Sequence, residues 1–83
     1  MPDPDLQQLG RAIRRVRLFH DLSQEELADR AGMNWRHLGQ VERGTKDIRW
    51  STLRRIAAAM NVPVSTLIDA YEHPPKSRRP PGR

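Results

Sequence analysis

Cysteine is absent from this 83-residue sequence. Disulfide bonds and thiolate metal sites are therefore excluded, and a reducing cytoplasm is the setting that the composition favours. Long hydrophobic runs are absent too, since none approaches the roughly 20 residues that a membrane-spanning helix needs. The opening residues, MPDPD, are acidic rather than signal-like. We therefore expect a cytoplasmic protein with no membrane partner.

Aromatic residues make up only 5% of the chain, and β-branched residues are also few. No segment alternates apolar and polar residues with the period of two that a half-buried strand shows. Apolar residues recur three and four positions apart instead, which predicts an all-α, compact bundle of five helices. The expected helices run from about Asp5 to His20, from the Ser23 cap to Gly32, from the Asn34 cap to about Glu42, from about Trp50 to Met60, and onward from Pro63.

Proline-rich segments bracket the helical region. Residues 1–5 contain two prolines, and residues 74–83, PPKSRRPPGR, contain four prolines and no apolar anchor. Both segments are expected to be disordered, which leaves residues 6–73 as a single domain. A chain this short buries only a modest core, so we expect its stability to be marginal or helped by a partner.

The net charge of +5 and the isoelectric point near 11 suggest a polyanionic partner. The excess is concentrated at the end of the chain, because four of the 15 basic residues follow residue 73. The remainder holds 11 basic and 10 acidic residues, which is close to neutral. The basic tail is therefore either a nucleic-acid contact or a solubilising end.

The start of helix two is the sharpest local signal. Ser23 and Glu26 have the spacing of a capping box, in which the serine hydroxyl accepts from the glutamate amide and the glutamate reaches back. Gly32 ends this helix, because the chain needs a left-handed residue there. A short turn around that glycine, residues 31–33, joins helix two to helix three. This arrangement is typical of a helix-turn-helix, whose second helix can enter a major groove of DNA.

Helix three carries base-reading chemistry on one face. Leu38 and Val41 are its only aliphatic residues and must point inward. At about 100° per residue, Arg36, Gln40 and Arg43 then point outward. Arginine can make two hydrogen bonds to guanine, and glutamine can make two to adenine. The alternative interpretation of this face is an ordinary solvated surface.

Four segments of the chain share a recognisable pattern and spacing. They are LGRAIRRVR (9–17), LSQEELADRAG (22–32), LGQVERG (38–44) and TLRRIAAAMNV (52–62). In these segments the chain resembles the Cro and phage-repressor type of helix-turn-helix domain, the XRE family. The resemblance implies a five-helix bundle with a central helix-turn-helix that binds palindromic operators in double-stranded DNA, usually as a dimer. It also implies a nucleoid-associated regulator of transcription, and in its small size the chain is similar to the controller proteins of restriction-modification systems.

The resemblance assigns DNA contacts by position. The first residue of helix two, here Gln24, clamps a phosphate with the help of amides at the positive helix end. The base-reading positions in helix three are Trp35, Arg36 and Gln40. The positions that hold the phosphate backbone, at the end of that helix and in the following loop, are Arg43, Lys46 and Arg49.

The resemblance also implies a structural ion pair between an arginine late in helix one and the glutamate near the end of helix three, here Arg17 and Glu42. Trp35 occupies a position that small or polar residues usually hold, so it either touches thymine methyls or sugars or packs on a neighbour. Gly39 lies inside helix three and either allows close approach of its backbone to DNA or is neutral. His37, on the flank of that helix, is either a phosphate contact or a plain surface residue.

The apolar side of helix five predicts a surface for homodimerisation. Its residues are Val64, Leu67, Ile68 and Tyr71. Catalysis is not expected, because the three histidines are scattered and no acid or serine completes a relay. No metal-ligand spacing exists, so we expect no metal or other cofactor, and the chain has no room for a small-molecule effector domain. The alternative function is an antitoxin or adaptor whose main role is to bind a protein, while RNA binding has little support.

Overall fold

The computed structural model describes residues 3–75, which form five α-helices and no strand. The expected all-α, five-helix architecture is confirmed. No helix in this part of the chain combines the length and the apolar character needed to cross a bilayer. The expected disorder of residues 76–83 lies outside the described residues. The helices are α1 (Pro4–Phe19), α2 (Gln24–Ala31), α3 (Trp35–Arg43), α4 (Trp50–Ala59) and α5 (Val64–Glu72).

The first helix begins earlier than expected. The Asp3 side chain accepts a hydrogen bond from the Asp5 amide at 2.8 Å, and Pro4 occupies the first helical turn. Proline suits that position because its missing N–H would have no helical partner there. Residues 3–5 therefore cap and begin α1, although the sequence analysis assigned them to the N-terminal tail.

The second helix has the predicted capping box. The Ser23 amide donates to Glu26 Oε1 at 2.8 Å, and the Glu26 amide donates to Ser23 Oγ at 3.0 Å. The bonds from Ser23, first of all the one from its backbone amide, lower the pKa of the Glu26 carboxyl. Gly32 follows the helix in the left-handed conformation, with φ at 67°. The short turn to α3 is thus set by local chemistry that the sequence displays.

Two other turns use left-handed residues that are not glycine. Asp21 follows α1 with φ at 58°, and Asn61 follows α4 with φ at 59°. Aspartate and asparagine tolerate this conformation better than most residues, so each can reverse the chain within a few residues. The turn at Asn61 brings α5 back against α4, and the turn at Asp21 directs α2 toward α3 and α4.

The core takes a fully buried residue from each of the five helices. These residues are Ile13, Leu27, Leu38, Ile56 and Leu67. α1 packs against α3 and α5, while α2 packs against α3 and α4. The position of Leu67 corrects the sequence analysis, because a side chain buried inside its own protomer has no surface to offer a second copy. Val64, Ile68 and Tyr71 remain partly exposed.

Close approach of two backbones fixes α1 against the end of α3. A Cβ atom at Gly10 would overlap the carbonyl oxygens of Val41 and Glu42. At Gly44, which has φ at 75°, a Cβ atom would lie 2.5 Å from the Cα atom of Gln7. Only glycine fits at either position, so this contact sets the distance between α1 and the exposed third helix.

Candidate nucleic-acid interface

The connection between α2 and α3 is three residues long. α2 ends at Ala31, Gly32 reverses the chain, and Asn34 is extended and caps α3 with a side-chain oxygen that accepts from the Arg36 amide at 2.7 Å. Within the turn, the Met33 amide donates to the Ala28 carbonyl in the last turns of α2 at 2.9 Å. Every step of the connection is thus held by a hydrogen bond or a favourable backbone conformation, which fixes how α3 leaves α2.

The two faces of α3 differ sharply. Leu38 and Val41 are buried in the core, as their spacing predicts. Trp35, Arg36 and His37 are exposed at the start of the helix. Farther along, Gln40 is half-buried and Arg43 is exposed. The helix therefore offers solvent a surface of aromatic, guanidinium, imidazole and amide groups, the groups that can contact base edges and phosphates.

Trp35 and Arg36 contact each other at the first turn of this surface. The guanidinium carbon of Arg36 lies 5.6 Å from the centre of the Trp35 ring, within the distance of a cation–π interaction. Trp35 is still 48% exposed. The ring therefore packs on its neighbour and keeps an open face, so the two sequence-based interpretations of this tryptophan are compatible.

Gln24 lies between α2 and α3, and its amide is engaged within the protein. Its Nε2 atom donates to Glu42 Oε1 at 2.9 Å. Its side chain also lies beside Gly39, where a Cβ atom would be 3.6 Å from Gln24 Oε1. The role expected for Gln24, a phosphate clamp, therefore rests on its second amide hydrogen and on the first-turn backbone amides of α2.

Arg17 and Glu42 form a buried ion pair, and the structure brings this expected pair together. Arg17 Nε donates to Glu42 Oε2 at 2.7 Å and Arg17 Nη2 donates to Glu42 Oε1 at 3.0 Å. The two side chains are only 7% and 2% exposed. Arg17 Nη1 also donates to the Leu22 carbonyl at 2.8 Å. With the bond from Gln24, this network joins the end of α1, the start of α2 and the end of α3.

The loop between α3 and α4 adds two exposed cations, Lys46 and Arg49. The loop begins with a bond that sequence analysis missed, from the Thr45 hydroxyl to the Gln40 carbonyl at 3.2 Å. The Thr45 amide donates to the same carbonyl at 3.0 Å. In the sequence, the only indication of this bond is a threonine directly after the glycine that ends α3. This bond holds the loop against the exposed end of α3.

A model described as a helix-turn-helix domain matches residues 8–70, which is most of the chain. The chain belongs to this helix-turn-helix family. The match includes α2, α3, the Arg17–Glu42 pair and the loop with Lys46 and Arg49. All of the candidate interface therefore lies inside the family domain.

Helix-turn-helix relatives of similar size are named as controllers. The control protein C.SmaI of Serratia marcescens is 35% identical over 74 residues, which cover 82% of this chain and 88% of that protein. The crystal structure of the restriction-modification controller C.AhdI from Aeromonas hydrophila has a TM-score of 0.77 and 31% identity, covering 78% of this chain and 98% of that one. The transcriptional regulator SutR of Escherichia coli is 35% identical over 72 residues, and the match covers 87% of this chain and 38% of SutR. The similarity to controllers expected from the sequence is confirmed.

Proposed function

We propose that this chain is a sequence-specific DNA-binding regulator of transcription, of the repressor or controller type, that recognises a palindromic operator as a homodimer. The observation that carries the proposal is the exposed face of α3 in a chain that belongs to the helix-turn-helix family. In this proposal α2 and α3 are the helix-turn-helix, and α3 lies in the major groove. Such a protein acts at the nucleoid.

The proposed base-reading residues are Trp35, Arg36 and Gln40. Arg36 and Gln40 are four positions apart, so they share one face of α3 and can reach neighbouring base pairs. Contact with the Trp35 ring limits the freedom of the Arg36 guanidinium before DNA binds. An arginine that is already oriented loses less conformational entropy when it binds a base.

The proposed phosphate contacts surround this face. They are Gln24, His37, Arg43, Lys46 and Arg49. Phosphate contacts orient the protein on the duplex and make its affinity fall as salt rises, without reading the sequence. For contact with DNA phosphates, the cations of α3 and its following loop therefore matter more than the near-neutral net charge of residues 1–73.

The relatives named above are called control proteins or transcriptional regulators, and none is named for capture of a toxin or for catalysis. We therefore favour gene regulation over the antitoxin or adaptor alternative, and we propose no enzymatic activity. A controller of a restriction-modification system is an analogy that fits this chain in size, because C.SmaI and C.AhdI match it over most of their own length.

The test begins with selection of a binding site from random duplex DNA by the full 83-residue chain. The Arg36→Ala and Gln40→Ala variants should each lose about 1–3 kcal/mol of binding to the selected site and little on unrelated DNA. Arg54→Ala, which removes an exposed arginine from α4, is the control and should bind both DNAs as before. Failure to enrich any sequence, or equal losses on both DNAs, would contradict base reading by these residues.

A further inference from the structure

A second basic surface lies on α1, outside the candidate DNA interface. Arg11, Arg14 and Leu18 are exposed and are spaced three and four residues apart, so they share one face of the helix. Each follows directly after a residue of the set Gly10, Ile13 and Arg17, which packs inward and against α3. One residue along a helix is a rotation of about 100°. The exposed α1 face is therefore turned away from the side on which α3 lies.

The end of the described chain turns this face into a groove. Pro74 and Pro75, which follow α5, lie across from α1 and line a groove of about 340 Å³ together with Arg11, Arg14, Arg15 and Leu18. Arg15 Nη2 donates to the Ala70 carbonyl at 2.8 Å, which ties the end of α5 to α1. The volume is at the lower end of the range of about 300–1,000 Å³ that is usual for ligand pockets.

The charge of the groove is uncompensated within the part of the chain that the structure describes. Its lining contains three arginines and no carboxylate. The ion pairs among residues 3–75 are Arg17–Glu42 and His73–Asp69, so neither Arg11 nor Arg14 has an acidic partner there. The sequence that continues from Pro75, KSRRPPGR, adds cations and no acidic side chain. Like charge makes that segment an unfavourable occupant of the groove.

We propose that this groove, lined by Arg11, Arg14, Arg15, Leu18, Pro74 and Pro75, binds an extended acidic segment of another protein that also carries an apolar side chain. Two arginines on one helical face can each bond a carboxylate with two parallel hydrogen bonds. Leu18 is 49% exposed, and with the two proline rings it offers apolar contact that a sugar–phosphate backbone does not need. Recognition of acidic motifs by clustered arginines is a common mode of peptide binding. A regulator bound to DNA through α3 would keep this face accessible.

The test uses the full chain and a short fluorescein-labelled peptide of glutamate, aspartate and leucine. A neutral peptide, in which glutamine and asparagine replace the acidic residues, is the control. Fluorescence anisotropy should show binding of the acidic peptide, weaker binding as salt rises, and little binding of the neutral analogue. The double variant Arg11→Gln/Arg14→Gln should bind the acidic peptide about tenfold more weakly. Leu18→Ser should also weaken binding.

The matched control is Arg54→Gln/Arg55→Gln, which removes two neighbouring exposed arginines from α4. This variant should keep peptide binding, and both double variants should keep the melting temperature of the parent. Equal loss in the two double variants, or no loss in the α1 variant, would overturn the proposal. Loss of binding to unrelated duplex DNA in the α1 variant, with peptide binding intact, would assign the groove to nucleic acid instead.

Discussion

Glu42 accepts three hydrogen bonds from two side chains that belong to two other helices. Its partner Arg17 also holds the carbonyl of Leu22, the residue that leads into the α2 cap. A buried ion pair adds little free energy of folding relative to well-packed apolar residues of the same size, because both charges lose water. Removal of one partner is different, since it leaves the other charge buried without compensation.

Glu42→Ala should therefore strongly destabilise the fold. The expected loss in free energy of unfolding is up to about 3–5 kcal/mol, a large share of what a domain of this size has. The matched control is Arg43→Ala, one residue later, where the side chain is exposed. That variant should keep the melting temperature and weaken DNA binding alone. Thermal melts of the two variants make the comparison, and similar melting temperatures would mean that Glu42 is not a structural partner.

Gly10 in α1 and Gly39 in α3 are expected to respond in opposite ways to substitution by alanine. Gly10 faces the backbone of α3, where a Cβ atom would overlap carbonyl oxygens that cannot move independently of the helix. Gly39 faces the ends of flexible side chains, because the nearest atom to a Cβ atom there is Arg43 Nη1 at 3.2 Å. The same substitution to alanine should therefore separate a packing role from a simple cost in helix propensity.

Gly10→Ala should lower the melting temperature sharply or prevent folding. Gly39→Ala should raise the free energy of unfolding by up to about 1 kcal/mol, since alanine is the better helix former and Arg43 can shift by a few tenths of an ångström. Chemical denaturation measures both. DNA binding by the Gly39 variant then decides between the two sequence-based interpretations: retained affinity makes the glycine neutral, whereas lost affinity in a more stable protein indicates close approach of the backbone to DNA. A Gly39 variant that unfolds would contradict the packing described for this position.

Element boundaries were predictable where their causes lie within a few residues. The start of α2 is set by the hydrogen bonds between Ser23 and Glu26, and its end is set by the backbone conformation of Gly32. All three residues can be recognised in the sequence. The left-handed Asp21 and Asn61 were missed, because many aspartates and asparagines do not adopt that conformation. The close contact at Gly10 was missed for another reason: it depends on a helix about thirty residues away in the sequence, and no local pattern indicates it.

At the scale of the whole molecule, the surface left for a second copy differs from the one expected from the sequence. Periodicity placed four apolar residues on one side of helix five but could not say which of them its own core would cover. Leu67 is covered, whereas Ile68 lies between two surface depressions. One of these contains Trp50 and Val64, and the other contains Leu9 and Tyr71.

The hydroxyl of Tyr71 lies 3.4 Å from Asp5 Oδ1, and that negative charge raises the pKa of the tyrosine.

The two depressions, which cross α4, α5 and α1, are the dimer surface that we propose. Its apolar part is formed by Trp50, Val64, Ile68, Leu9 and Tyr71, and the carboxylates of Asp5, Asp69 and Glu72 lie beside them. Trp50 is 63% exposed and lines one depression with Val64 and Ile68, so its ring is part of a contiguous apolar patch of the kind that marks protein interfaces. A two-fold axis through this surface would present one α3 helix from each protomer, as recognition of two half-sites about 34 Å apart requires.

The parent chain should therefore sediment as a dimer at roughly tens of micromolar, a range in which weakly paired regulators associate. Trp50→Ala should shift the equilibrium toward monomer and keep the melting profile of a folded helical protein. Phe19→Ala is the control, because Phe19 is 84% exposed on α1 and lies outside the proposed surface. That variant should remain a dimer.

Binding to the selected palindrome should weaken in the Trp50 variant far more than binding to a single half-site, since only the palindrome benefits from a linked pair of reading helices. A parent chain that is monomeric at these concentrations, or a Phe19 variant that dissociates while the Trp50 variant does not, would place the dimer surface elsewhere.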